Sequence, residues 1–184
     1  MKYIIAITGA SGAIYAIKLI EFLNNKAEIH LILSEGAKSI IKQEMNMTVD
    51  SLKRNVHKIY NNENLTAALA SGTFAHDGMV IIPASMKTIA ALAHGYASNL
   101  ITRAADCTLK ENRLLIVVPR ESPLNLIHLR NLTLLKEAGA IIMPASPAFW
   151  HNPKTIDELV EAFVQRVAEK LGITSAEMVR WKGE

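Results

Sequence analysis

Five short runs of almost wholly apolar residues, separated by longer stretches that mostly show helical periodicity, constrain the fold more than any other feature. The runs cover residues 3–8, 28–33, 79–82, 113–118 and 140–143. Strands that are buried on both faces form continuous apolar runs, whereas strands with one solvated face alternate. Helices between such strands cover both faces of a parallel sheet. We therefore predict an α/β protein, with an open doubly wound parallel sheet in three α/β/α layers.

The length of 184 residues allows one domain with a full core and is too short for two ordinary domains, so we predict a single domain over residues 1–184. The least regular part, residues 46–77, is interpreted as a connection with an edge strand around residues 56–60. The last helix is marked most clearly. Thr155 and Glu158 have the spacing of a capping box, and Gly172 follows the apolar stripe.

Charge and composition exclude several classes of function. The formal net charge is +3, and the basic residues are scattered, which argues against a dedicated nucleic-acid surface. No apolar run approaches the roughly 20 residues of a membrane span, so we expect a cytoplasmic protein without one. Cys107 is the only cysteine and cannot form an internal disulfide. The histidines show neither an HExxH motif nor a close pair, so no metal site is predicted.

The stretch ITGASGA, residues 7–13, joins the first apolar run to a helical pattern. Backbone N–H groups and the helix dipole at such a turn favour an anion. The spacing of Gly9 and Gly12 is not GxGxxG, and the second run ends at Ser34 without an acidic residue for a ribose. The turn therefore predicts an anion contact but no dinucleotide, and a plain tight connection is the alternative.

Three later runs end in a proline followed by polar residues, in residues 82–85 (IPAS), 118–120 (VPR) and 143–146 (MPAS). The carboxyl ends of parallel strands line the ligand crevice of an open α/β sheet. We expect functional groups just after these prolines, although simple strand punctuation would give the same pattern.

Two helical stretches carry polar groups with more than one explanation. Residues 85–88 (SMKT) place two hydroxyls and an ammonium at a helix start, as an ordinary serine cap with a solvated lysine would. Arg103, Asp106 and Lys110 share one helix face, for which a surface salt-bridge ladder is the simpler explanation. Contact with a ligand is the alternative explanation for each stretch.

The remaining candidates are single residues. Arg120 and Glu121 follow a strand-ending proline, where a solvated pair is common, and Glu44 alone is a surface acid. Arg166 lies near the apolar stripe of the last helix, where it can snorkel or reach a ligand. Trp150 belongs to an aromatic pair in a loop that cannot easily bury both rings.

Several long stretches, in order, resemble the UbiX/Pad-type flavin prenyltransferases: residues 7–13 (ITGASGA), 70–88 (ASGTFAHDGMVIIPASMKT), 99–110 (NLITRAADCTLK), 117–129 (VVPRESPLNLIHL) and 139–153 (GAIIMPASPAFWHNP). The likeness covers nearly the whole chain and includes Arg180 and Trp181. It implies a flavodoxin-like Rossmann fold and a homo-oligomer, a trimer or dodecamer, with the active site between subunits. It also implies that dimethylallyl phosphate or diphosphate alkylates reduced FMN, making the prenylated FMN used by UbiD-type decarboxylases.

The resemblance assigns roles residue by residue. It implies that Ser11, Glu44 and Glu121 are catalytic, with Ser11 and Glu44 relaying a proton. The prenyl phosphate would meet Arg103, Lys110, Trp150, Arg166 and Trp181, in part from neighbouring chains. Arginine and lysine would then carry the charge for which many prenyl-transfer enzymes use Mg²⁺. The FMN contacts would be Gly9, Ala10, Ser11, Ser34, Ser85, Met86, Lys87, Thr88 and Arg120.

One position departs from the family pattern, because tyrosine is usual where this chain has Trp150. Indole can still donate one N–H and offers a better face to a cation. Two other functions remain open. One is an FMN carrier or accessory subunit without chemistry. The other is an FMN-dependent cysteine decarboxylase, whose Gly-x-x-x-Asn-Leu stretch resembles residues 95–100 but whose PxMNxxMW segment is missing from this sequence.

Overall fold

A computed structural model describes residues 1–176, 178–181 and 183, which form one six-stranded parallel sheet with helices on both faces. The strand order is β3-β2-β1-β4-β5-β6, and every neighbouring pair is parallel. The predicted open doubly wound sheet is confirmed. The strands are β1 (Lys2–Ile7), β2 (Glu28–Leu33), β3 (Lys58–Asn61), β4 (Gly78–Ala84), β5 (Leu115–Pro119) and β6 (Ile141–Ile142).

Six α-helices of the described chain connect or follow the strands, and two short 3-10 helices, Val49–Asn55 and Ala68–Ala70, lie between them. Helices α1, α2 and α6 pack into the core on one face of the sheet, and α3, α4 and α5 contribute to the core on the other. Their bounds are α1 (Ala13–Leu23), α2 (Glu35–Met45), α3 (Met86–Ala93), α4 (Leu100–Lys110), α5 (Leu126–Glu137) and α6 (Ile156–Lys170).

Strand β1 shows why the apolar runs do not alternate with polar residues. Successive strand side chains point to opposite faces. Ile5 and Ile7 belong to the core under α1 and α6, while Ile4 and Ala6 belong to the core under α3 and α4. All four are fully buried, so both faces of this strand require apolar side chains.

The strand order reverses between β1 and β4, which are neighbours in the sheet although β2 and β3 lie between them in sequence. The chain leaves β1 into α1 on one face and leaves β4 into α3 on the other. Such a switch point opens a crevice at the carboxyl ends of the strands. The polar residues after β1, β2, β4 and β5 therefore lie around this crevice.

Two element boundaries refine the predictions. The expected edge strand is β3, Lys58–Asn61, paired with β2. In the cap of α6, the Thr155 hydroxyl accepts the Glu158 N–H at 3.1 Å as predicted. The Glu158 carboxylate, however, accepts the Lys154 N–H at 2.6 Å, so the reciprocal half of the capping box is shifted by one residue. No helix in the described part of the chain is both long and apolar enough to cross a membrane.

Candidate active site

Thr8 joins the ends of the two central strands. Its hydroxyl donates to the Pro83 carbonyl at 2.7 Å and accepts the Ser85 backbone N–H at 2.7 Å. The Thr8 side chain and its bond to the Pro83 carbonyl are buried, and the bond from Ser85 is partly buried. They hold the start of α3 beside the turn after β1, at the crevice.

Two glycines bring the turn after β1 against the start of α2. A Cβ atom on Gly9 would lie 3.2 Å from the Gly36 Cα, and one on Gly36 would lie 3.0 Å from the Gly9 Cα. Both distances are shorter than ordinary Cβ contacts, so a side chain at either position would push the two backbone segments apart. Ser34, two residues before Gly36, caps α2, and its hydroxyl accepts the Ala37 N–H at 3.1 Å. Of the predicted FMN residues, Gly9 and Ser34 are therefore neighbours in space.

Glu44, near the end of α2, reaches the ITGASGA turn. Its Oε2 accepts the Gly12 N–H at 2.9 Å and the Ala13 N–H at 3.0 Å, and its carboxylate is hydrogen-bonded to the Ser11 side chain. The anion at the start of α1 is thus a side chain of the protein itself. The pair that the resemblance implies as a proton relay is in contact.

The protonation state of Glu44 follows from the same contacts. Burial by itself would raise the pKa of this carboxyl group. Hydrogen bonds from Ser11, Gly12 and Ala13, together with the positive charge of Arg120, outweigh burial and hold the pKa below its ordinary value. Glu44 is therefore ionised at neutral pH and can accept a proton.

The start of α3 carries the second group of predicted FMN residues. The Ser85 hydroxyl accepts the Thr88 N–H at 3.4 Å and lies 3.1 Å from the Thr88 hydroxyl. Met86 and Thr88 are buried, and Lys87 is exposed. The first N–H groups of a helix have no partner within the helix. Since Glu44 occupies the start of α1, α3 offers the freer anion-binding end.

Arg120 follows β5 and lies close to the first turn. Its Cγ would be 3.9 Å from a Cβ on Gly12, and its charge acts on both Glu44 and Tyr15. The next residue, Glu121, is exposed and accepts the Ser122 N–H at 3.0 Å. Arg120 is thus beside the first turn, while Glu121 is engaged within its own loop.

A cavity of about 600 Å³ lies between the segment after β6 and helix α6. Three of the predicted donor residues, Trp150, Arg166 and Trp181, line it together. The two indoles meet edge to face with ring centroids 5.4 Å apart. Trp150 remains 47% exposed, as expected for a loop that cannot bury both of its large rings.

Two arginines and one glutamate give the described cavity lining an excess of one positive charge. Arg166 forms an ion pair with Glu169, and the Arg180 guanidinium lies 3.4 Å from the same carboxylate. Two guanidinium groups thus share one carboxylate in a cavity whose walls are otherwise largely apolar and aromatic. A phosphate could replace Glu169 as their partner, because bidentate arginine contacts suit phosphate oxygens.

Aromatic packing connects the cavity to the crevice. Tyr15 stacks edge to face on Phe163, with centroids 5.3 Å apart, and Phe163 lines the cavity. The same Tyr15 ring would lie 3.1 Å from a Cβ on Gly12. The Ser11–Glu44 pair and the cavity are therefore parts of one region.

Arg103 and Lys110 lie elsewhere, on α4. Arg103 pairs with Asp106 at 2.8 Å and donates to the Ala70 carbonyl at 3.0 Å. Lys110 pairs with Glu111 at 2.6 Å, so the predicted ladder through Asp106 is only half correct. Neither cation is among the described residues that line the cavity. A role for them at the donor site, supplied from neighbouring chains, stays a prediction.

Sequence reasoning missed three residues of this region. Thr8 ended a predicted strand and was treated as part of it, although a hydroxyl at that position can join two strand ends. Gly36 stands two residues after a serine cap, where a glycine in a first helical turn indicates close approach. His151 lines the cavity, and both of its ring nitrogens are buried without a hydrogen-bond partner in the described structure.

Known proteins with the same fold match this chain over nearly its whole length. The family model described as Flavoprotein matches residues 1–168. The flavin prenyltransferase UbiX of Methanocaldococcus jannaschii is 46% identical over 181 residues, which are 98% of each chain. A dodecameric FMN-dependent UbiX-like decarboxylase from Escherichia coli O157:H7 is 39% identical, with a TM-score of 0.96 and full coverage of both chains.

A crystal structure of AnUbiX (PadA1) with FMN and dimethylallyl pyrophosphate has a TM-score of 0.97 at 37% identity, covering 100% of this chain and 98% of the other. The peptidyl-cysteine decarboxylase EpiD is more distant, with a TM-score of 0.63 and 24% identity over 80% of this chain and 81% of EpiD. That likeness shows a shared fold alone. From its full-length similarity to the UbiX proteins, this chain belongs to the UbiX-type flavin prenyltransferases within the flavoprotein family.

Proposed function

We propose that this chain joins a dimethylallyl group, from dimethylallyl phosphate or diphosphate, to reduced FMN and so produces prenylated FMN. One observation carries the proposal. An ionised Glu44, hydrogen-bonded to Ser11 at the ITGASGA turn, lies next to a cavity that contains two indoles and two guanidinium groups. Proton acceptance, cation stabilisation and phosphate binding are the three tasks that prenyl transfer requires.

The crevice fits FMN. Gly9 and Gly36 let the first turn pack directly against the start of α2. In this proposal the backbone of the first turn faces the flat ring of FMN. The start of α3 provides hydroxyls and free N–H groups for a phosphate, and Arg120 lies at the first turn, beside Gly12. Reduced FMN, when bound, supplies the electron-rich ring that is alkylated. Its contacts in this proposal are Gly9, Ala10, Ser11, Ser34, Ser85, Met86, Lys87, Thr88 and Arg120.

The donor occupies the cavity in this proposal. Arg166 binds the donor phosphate, and the electron pair of the breaking carbon–oxygen bond leaves with that phosphate, which the guanidinium stabilises. Trp150 and Trp181 present their faces to the allylic cation that remains, where each favourable contact contributes about 0.5–2 kcal/mol. Arg103, Lys110 and Glu121 complete the phosphate site from neighbouring chains.

Ser11 and Glu44 handle the proton that alkylation with ring closure releases. The Ser11 side chain is hydrogen-bonded to the ionised Glu44 carboxylate, so it can pass a proton to Glu44. The departed phosphate is the final acceptor. General base catalysis of this kind contributes about 10²–10⁴-fold in rate.

The proposal includes a homo-oligomer, as in the dodecameric relative from Escherichia coli. Support comes from α4, whose cations lie away from the cavity of their own chain, and from the exposed apolar side chains Leu126 and Ile127 on α5. We also infer that the product passes to a UbiD-type decarboxylase and that the protein is cytoplasmic. The single buried thiol of Cys107 is compatible with a reducing compartment.

Anaerobic incubation with reduced FMN and either donor, followed by mass spectrometry of the extracted flavin, tests the function. We expect the flavin to gain one five-carbon unit. Flavin of unchanged mass with both donors, from protein that binds FMN, would show a carrier without chemistry. Analytical ultracentrifugation of the same sample tests the assembly.

A further inference from the structure

Three potential metal ligands meet at the amino end of β2, at the opposite end of the sheet from the crevice. Glu28 opens the strand and His30 follows two residues later, so both side chains point to the same face. His57 immediately precedes β3, and its N–H donates to the Ile29 carbonyl at 2.9 Å. The parallel pairing of β2 with β3 thus brings two histidines together that are far apart in sequence.

The ligand atoms have the spacing of a small coordination site. The His30 Nε2 lies 2.7 Å from the Glu28 Oε1, and the His57 Nε2 lies 3.7 Å from the same oxygen. All three ligand atoms lie within 4.8 Å of one another. In a tetrahedral zinc site with bonds of about 2.0–2.1 Å, ligand atoms are about 3.3 Å apart. To reach that arrangement, the Glu28 carboxylate must move away from His30 by about 0.6 Å, and the exposed His57 side chain must rotate toward both ligand atoms.

We propose that Glu28, His30 and His57 bind a divalent transition-metal ion such as Zn²⁺, with water as the fourth ligand. Two imidazoles and one carboxylate form a ligand set that zinc accepts in proteins. This site is independent of the flavin chemistry, because it lies at the far end of β2 from Ser34.

His30 is already positioned as a ligand. It is 4% exposed, and its Nδ1 lies 2.9 Å from the Tyr60 hydroxyl. In the structure the 2.7 Å contact of Nε2 with the Glu28 carboxylate requires Nε2–H as the donor, so Nδ1 accepts from the Tyr60 hydroxyl. Metal binding would move the proton to Nδ1, which would then donate to the Tyr60 oxygen, and would leave the Nε2 lone pair facing the metal. The Phe74 ring packs edge to face on His30 at 5.1 Å and further limits its rotation.

Lys2 is the natural competitor of the metal ion. Its ammonium lies 3.4 Å from the Glu28 Oε1 and contacts the Phe74 ring, with 5.1 Å to the centroid. A metal ion in the site would displace this ammonium into solvent, which its partial exposure allows. Removal of the Lys2 charge should therefore strengthen metal binding, whereas a purely structural hydrogen-bond cluster predicts no such gain.

The metal ion would connect β2 to the segment before β3. It would therefore bind the folded chain but not the unfolded chain, and so would stabilise the fold. Glu28→Gln and His57→Ala remove ligands at exposed or half-buried positions and leave the buried His30 in place. His128→Ala is the matched control, since it removes a histidine on α5.

The test uses tag-free, full-length protein stripped with a chelator and titrated with Zn²⁺ against a chromophoric competitor. We expect one equivalent per chain, a higher unfolding temperature with Zn²⁺, and at least tenfold weaker binding in Glu28→Gln and His57→Ala. Lys2→Met should bind more tightly, and His128→Ala should match the wild type. Equal affinity in the wild type and His57→Ala, or the same loss in His128→Ala, would overturn the site.

Discussion

The crevice and the basic face of α4 satisfy their polar groups in different ways. In the crevice the partners come from distant parts of the chain: Thr8 bonds to Pro83 and Ser85, and Glu44 bonds to Gly12. On α4 the ion-pair partners of both cations are close neighbours in sequence, and Arg103 bonds to a distant residue only through the Ala70 carbonyl.

The crevice is therefore a preorganised site, whereas the cations on α4 can exchange their ion-pair partners for a ligand. Bonds between distant elements are maintained by the packing of the whole fold, so the geometry of the crevice is fixed before a ligand binds. Exposed ion pairs contribute about 0–1 kcal/mol to folding stability, so a ligand can take the place of one partner with little loss of free energy. We therefore expect substitutions in the crevice to change the chemical step and substitutions on α4 to change donor affinity.

The largest effect is expected at Glu44. Glu44→Gln removes the charge that accepts the proton while an amide of similar shape remains, so the single-turnover rate should fall by about 10²–10⁴-fold. FMN affinity should change only slightly. Glu35→Gln, at an exposed position of the same helix, is the control and should behave like the wild type. If the single-turnover rate of Glu44→Gln fell by less than tenfold, the carboxylate would not take part in the proton relay.

Next in size are Arg103→Ala and Lys110→Ala. Loss of a charge-assisted contact to phosphate corresponds to about 1.5–3 kcal/mol, so the KM for dimethylallyl phosphate should rise by roughly ten- to hundredfold. In Lys110→Ala the free energy of unfolding should change by less than about 1 kcal/mol, because its ion pair is exposed. Arg103→Ala also loses the hydrogen bond to the Ala70 carbonyl and should cost about 1 kcal/mol more. Lys53→Ala, which breaks the comparable pair with Asp50, is the control. An unchanged KM in both α4 variants would show that these cations do not meet the donor.

A smaller effect is expected in the cavity. Trp150→Tyr exchanges one aromatic face for another and adds a hydroxyl that can bond to phosphate, so kcat/KM should stay the same or rise by a few fold. Trp150→Phe keeps an aromatic face but lacks that hydroxyl. Comparing it with Trp150→Tyr separates the contribution of the ring from that of the hydroxyl. A large loss of activity in Trp150→Tyr, measured with both donors, would contradict the proposed position of Trp150.

The smallest effect concerns the titration of Glu44. Because its folded pKa lies below the ordinary value of 4.5, ionised Glu44 stabilises the fold above the unfolded pKa, and this contribution disappears as pH falls through the folded pKa. The stability difference between wild type and Glu44→Gln should therefore shrink on acidification. Ser11→Ala should raise the Glu44 pKa, as measured by NMR, since it removes one hydrogen bond to the carboxylate. An unchanged pKa in Ser11→Ala would show that the Ser11 bond is not maintained in solution.

Most of the sheet could be predicted because its strands are buried on both faces. The predicted bounds of both β3 (56–60, observed Lys58–Asn61) and β5 (113–118, observed Leu115–Pro119) begin two residues early and end one residue early, because pairing with the neighbouring strand, rather than composition, sets where a strand begins and ends. The capping box of α6 was predicted from spacing alone. Spacing does not determine which of two adjacent N–H groups the Glu158 carboxylate reaches.

The sequence by itself determined the strands, the helix starts and the groups at the strand ends, because burial on two faces, helix capping and glycine turns are local patterns. Only the tertiary structure decided which of those groups meet. Contacts between Glu44 and Gly12, Gly9 and Gly36, Trp150 and Trp181, and His30 and His57 depend on strand order and on how the helices pack across it. The physical reason is that each element presents its side chains locally, whereas their partners are set by long-range packing of the sheet.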